Sequence, residues 1–112
     1  MKMHEENVQV LNLTQAMLGS ITPNFRAVSL EYEPSVLKLH FLLEGESIDD
    51  REEIEEIVFE FEALQLLSID VEVVVRVDSK PWGEFKMPGR MVYARKEFWE
   101  HEEDAIDKEA EK

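Results

Sequence analysis

Residues 45–65 read GESIDDREEIEEIVFEFEALQ, a dense run of carboxylates set in front of and between large apolar side chains. Taken as a helix, Ile54, Ile57, Val58, Phe61 and Leu64 fall on one continuous apolar stripe, the side that a fold would bury. Ser47 stands where an N-cap belongs. Asp49 and Asp50 occupy the first turn, where carboxylates meet the positive end of the helix dipole. Glu52, Glu53, Glu55, Glu56, Glu60 and Glu62 lie mainly off the stripe. What so much negative charge faces is the question that the rest of the chain has to answer.

Strand patterns flank this helix. Phe25 to Tyr32 alternates, with Val28, Leu30 and Tyr32 on one side, and Val36 to Leu43 repeats the pattern with Leu37, Leu39, Phe41 and Leu43. The short connection "EPS" between them fits a hairpin, so this pair should be antiparallel. Beyond the helix, "SIDVEVVVRVD" sets Ile69, Val71, Val73, Val75 and Val77 against a more polar side, and "RMVYARK" offers a last short strand. Upstream, residues 5–21 read as a first helix with Val10, Leu13, Met17 and Ile21 roughly on one face, Gly19 near its end and "TPN" breaking it. The order α-β-β-α-β-β predicts an α+β two-layer sandwich. Its sheet would be four-stranded and mainly antiparallel, with both helices on one face and Ile57, Val58, Phe61, Val71, Val73 and Val75 in a common core. Residues 1–97 form this single domain, and residues 98–112 an acidic tail, flexible or helical.

The chain has 112 residues, 44% hydrophobic, and no cysteine, so thiol catalysis and disulfides are excluded. No run approaches the roughly 20 apolar residues of a membrane span. The first residues carry carboxylates where a signal peptide would be apolar, so a cytoplasmic protein is expected. The net charge is -14. Residues 44–62 contribute ten acids against Arg51 alone, and residues 97–112 eight acids against two lysines. A field of that sign repels phosphate backbones and anionic lipids and steers basic proteins, so neither nucleic acid nor membrane is an expected partner.

His4, His40 and His101 show no spacing that a metal or a general base requires, and no phosphate loop, nucleophile elbow or zinc-protease motif is present. No cofactor is expected, and no catalytic residue can be named. The acidic helix has a plain reading as a solvated face assisted by the dipole. That reading covers the first turn but not Glu60 and Glu62, where the dipole gives nothing and almost no Lys or Arg stands at i+4 to relieve repulsion. Trp82, in "KPWGEF", either folds back on the core or stands out as an interface anchor.

Several stretches have a family look. "LGSITPNFRAVSLEYE", then "LEGESIDDREEIEEIVFEFEALQ" and "GRMVYARKE" resemble, over roughly residues 11–97, the small bacterial immunity partners of contact-dependent growth inhibition and related polymorphic toxins. The most specific positions are Leu18, Gly19, Thr22, Pro23, Asn24, Arg26, Ala27, Val28 and the Tyr93–Lys96 segment. The resemblance implies a cytoplasmic, non-catalytic antitoxin that binds a cognate toxin domain. With the charge reading, the toxin would be basic and the contacts would come from Glu52, Glu53, Glu55, Glu56, Glu60 and Glu62, with Trp82 as anchor. Two other classes stay open: an adaptor that pairs a partner strand along a free sheet edge, the last strand being the candidate, and a small-ligand or metal-dependent enzyme. The sequence leaves the oligomeric state open.

Overall fold

The computed structural model describes residues 2–81 and 86–97, with side chains from residue 4 onward. Along the chain run α1 (Lys2–Met17), β1 (Phe25–Tyr32), β2 (Val36–Leu43), α2 (Ile48–Ala63), β3 (Asp70–Val77) and β4 (Arg90–Ala94). Just beyond α1, Gly19 takes a φ of +81°, a left-handed conformation open to glycine at little cost. Ser47 caps α2: from an extended backbone its hydroxyl accepts the Asp50 amide at 3.1 Å. The acidic tail assigned to residues 98–112 lies outside the described residues.

The four strands are ordered β3-β2-β1-β4. β1 pairs antiparallel with β2 and with β4, whereas β2 and β3 run parallel in unbroken register from Val36↔Asp70 to Leu43↔Val77. The sheet is therefore mixed, which corrects the expectation of a mainly antiparallel one. The reason lies in the connections. A three-residue turn after β1 permits only a reversal, but α2 is long enough to carry the chain back to the starting end of β2, the crossover that parallel neighbours require.

Leu13, Ala16 and Met17 of α1 and Ile54, Ile57 and Phe61 of α2 join Phe25, Val28, Leu30, Leu37, Leu39, Phe41 and Leu43 in one buried cluster. Register places Val28 opposite Phe41 and Leu30 opposite Leu39, so these strand residues share one side of the sheet. Val71 and Val75 reach the cluster only partly buried, and Val73, expected in the core, is 40% exposed. Among the described residues β3 is an edge strand, and its side chains are half covered.

The opposite side of the sheet is not simply solvated, although its polar residues suggest it. Ala27, Ser29 and Leu42 are fully buried there, and His40, nearly so, lies 2.8 Å from a Glu31 oxygen. β3 and β4 run the same way at opposite edges, so the chain between them has to cross the sheet. Ser29 donates its hydroxyl to the Pro88 carbonyl at 2.6 Å, which puts the returning end on the side away from the helices. At Gly89 the backbone lies directly on β1: φ is +77°, and a Cβ would collide with the Leu30 carbonyl.

Phe61 is fully buried between helix and sheet. Phe61→Ala should lower stability by about 3 to 5 kcal/mol through the cavity it leaves. Urea denaturation reads this directly, and a loss under about 1 kcal/mol would contradict this packing.

Candidate functional site

One network sets the orientation of α2. Both carboxyl oxygens of the buried Asp50 are bound, one accepting from the Thr22 hydroxyl at 3.0 Å and the other from the Asn24 amide at 2.9 Å. Asn24 also donates to the Gly45 carbonyl and accepts the Gly45 amide, at 2.8 and 2.9 Å. The first turn of α2 is thus fastened to the segment entering β1. Asp50, counted from sequence as a dipole-favoured surface acid, is a structural tie.

With Asp50, Ile54, Ile57 and Phe61 turned inward, the outward line of α2 follows from the helical period: Ile48, Glu52, Glu55, Phe59 and Glu62. Phe59 is 69% exposed and Ile48 75% exposed. Of the residues expected to bind a partner, Glu52, Glu55, Glu56, Glu60 and Glu62 are exposed and Glu53 is half-buried. Among the described residues none of the six has an ion-pair partner. The one cation of the helix, Arg51, is held by two bonds to Glu46. Both oxygens of that carboxylate face the guanidinium, which lowers the Glu46 pKa. Phe59 lies off the inward stripe of Ile54, Ile57 and Phe61 and so was not among the residues expected to bind a partner. Its position in the 3.6-residue period, opposite Phe61 and Ile57, is the signal that marks it. Trp82, the remaining site residue, lies outside the described residues.

Other clusters are structural. Arg26, buried at the irregularity that opens β1, donates through Nε and Nη2 to both oxygens of Glu97, at 2.8 and 2.6 Å, and through Nη1 to the Asp78 carbonyl at 2.7 Å. Arg95 completes the cluster, 3.1 Å from Glu97 and 2.9 Å from Glu44, and donates to the Pro23 carbonyl. Arg26 hydrogen bonding above all, helped by the charges of Arg26 and Arg95, holds the Glu97 carboxyl below its usual range. An open groove of about 950 Å³ lies among α1, the β1–β2 turn and the segment after α2, lined by His4, Glu5, Val8, Tyr32, Leu66 and Leu67. The Tyr32 hydroxyl donates to Glu5 at 2.6 Å, which raises the phenol pKa. His4 makes no hydrogen bond or ion pair among the described residues, although Glu5, Ser35 and Asp70 line the same groove. Nor does any group of three or more His, Asp or Glu side chains there stand ready for a metal ion.

These features define a small α+β domain whose distinguishing surface is a carboxylate-rich helix face that also exposes an aromatic ring. The family model described as MafI2 immunity protein matches residues 7–97, and the chain belongs to that family. No curated protein matches the sequence. The matched segment contains the Thr22–Asn24–Asp50 network and the Arg26–Glu97 pair. The positions that make the stretch recognisable, Thr22, Asn24 and Arg26, thus serve the scaffold.

The Glu97 pair has a pH signature. With its folded-state pKa depressed, its stabilising contribution is complete above the unfolded-state value of about 4.3 and is lost as pH falls through the lower folded-state value. Glu97→Gln should lower the urea midpoint at neutral pH, and its deficit relative to the parent should shrink steadily below about pH 4. A deficit that stays constant through the acid range would mean that packing, not charge, had been lost.

Proposed function

We propose that the protein neutralises a cognate toxin domain of basic character, inside the cytoplasm of the cell that makes it, by laying the outer face of α2 against a cationic surface of the toxin. It acts by binding and not by catalysis. Membership in an immunity protein family supports a toxin as the partner. The observation that carries the choice of surface is the run of carboxylates on α2, without ion-pair partners among the described residues, on the same helix as the exposed Phe59 ring.

Each part of that surface has a physical role. Like charges at i, i+3 and i+4 destabilise a helix by a few tenths of a kcal/mol per pair, so the helix carries a standing cost that a cationic partner would relieve. Long-range attraction speeds encounter and fixes orientation but gives limited net affinity once solvent is stripped away. Affinity needs a desolvated anchor. Phe59, exposed on a helix with Glu55, Glu56, Glu60 and Glu62 within a turn of it, has the make-up of a binding hot spot with a polar rim. A toxin that acts on nucleic acid would present a basic groove of the matching sign.

Two variants separate the roles. Glu55→Lys/Glu56→Lys should fold like the parent yet associate with the toxin at least about tenfold more slowly at low salt, a deficit that narrows as salt rises. Phe59→Ser should leave thermal stability nearly unchanged while weakening binding by about 2 kcal/mol, chiefly through faster dissociation. Stopped-flow and calorimetric titrations measure both. Parent-like binding and protection by the folded double lysine variant would reduce the acidic face to solvated surface.

A further inference from the structure

The sheet has two edges of opposite character. β4 is blunted: it is five residues long, its register with β1 shifts between Val28 and Ser29, and its Arg90 is tied to Asn7 and Glu6 of α1. Such features discourage edge-to-edge pairing. β3 has none of them. It is eight residues long, DVEVVVRV, in unbroken register with β2, and contains neither lysine nor proline. Val73, Val74 and Val77 are 40%, 36% and 40% exposed. The last strand, the candidate edge of the alternative adaptor reading, is thus the blunted one.

The direction of the open hydrogen-bonding groups follows from one contact. Asp78 donates its amide to the Leu43 carbonyl of β2, and backbone groups alternate in direction along a strand. Even-numbered residues therefore bond inward to β2, and Val71, Val73, Val75 and Val77 turn their amides and carbonyls to the open edge. An antiparallel partner has to bring its own outward groups opposite these. For a second copy of β3, only registers with the two-fold axis on a residue satisfy that condition, and centring it on Val74 pairs the whole strand. Val71 then faces Val77 of the second copy and Val73 faces Val75, each a hydrogen-bonded pair. Val74 meets its own symmetry mate as a close, non-hydrogen-bonded pair.

We infer that β3 is a self-complementary dimer edge, joining two copies antiparallel about Val74 into a continuous eight-stranded sheet. The charges agree with this register. Glu72 of each copy stands opposite Arg76 of the other, on the same side of the sheet as Val74, so two cross-strand ion pairs flank the axis. Arg76 is half-buried and also acts electrostatically on Asp78, just beyond its own strand. The like-charged Asp70–Asp78 pairs fall at the ends, where Lys80 lies 3.8 Å from Asp78. Valines 71, 73, 75 and 77 extend the apolar side shared with the helices, covering the half-exposed core found at this edge. Against association stands the net charge of -14 on each copy, so the dimer should strengthen as salt screens that repulsion. That dependence is opposite in sign to the one expected of toxin binding, and the edge is independent of the face that meets the toxin.

The chain lacks cysteine, so site-directed cross-linking has no background. Under mild oxidation Val74→Cys should become predominantly a disulfide dimer, whereas Glu72→Cys, about four residues out of register with its own mate, should remain monomeric. Sedimentation of the parent should show a dimer fraction that rises with protein and salt concentration. Val74→Lys, which sets two ammonium groups face to face at an already exposed position, should abolish it with an unchanged circular dichroism spectrum. A parent that stays monomeric at high concentration and high salt, or equal cross-linking of both cysteine variants, overturns the assignment.

Discussion

Asp50 is the point on which the arrangement turns. A carboxyl group buried at the first turn of a helix is tolerable only when its oxygens are bound, and Thr22 and Asn24 supply those bonds from the chain entering β1. Asn24 then grips Gly45 from both sides, fixing the bend between β2 and α2. The rotation of α2 about its own axis is thereby set. Ile54, Ile57 and Phe61 are committed to the sheet, and the carboxylates and Phe59 to solvent. The surface proposed to meet a toxin is a consequence of a network that never touches it.

The same division of labour runs through the molecule. Arg26 and Glu97, 71 positions apart, close the end of the sheet with a bidentate pair, and Gly89 lets the returning chain lie on the backbone of β1. The fold constrains each of these residues individually, through the partner it has to meet. A charged binding surface is specified differently. Many distributions of carboxylates produce a similar field, so no single glutamate on α2 is bound to a geometry in the way that Asp50 is.

Two surfaces with different physics emerge on one small domain. The α2 face is highly charged with one aromatic centre, suited to fast, salt-sensitive recognition of a cationic partner. The β3 edge is valine-rich and nearly neutral, suited to backbone pairing that salt favours. Because α2 is the crossover between β2 and β3, helix and edge belong to one β-α-β unit.

The sequence by itself determined the elements, since each rests on a local period: two in the strands, about 3.6 in α2, with Gly19 and Ser47 marking helix ends. It also determined the concentration of charge on one side of α2, and Phe59 was legible there from the same period, though the inward stripe drew the reading. Tertiary structure decided what depends on partners distant in the chain. A valine alternation looks the same beside a parallel or an antiparallel neighbour, so the placement of β3 beside β2 and its status as an open edge were beyond local pattern. The burial of Ala27, Ser29 and Leu42 on the side away from the helices was likewise decided by the folded chain, as were the roles of Asp50 and Glu97. A carboxylate's sequence neighbours do not show which cation, amide or hydroxyl the fold will bring to it.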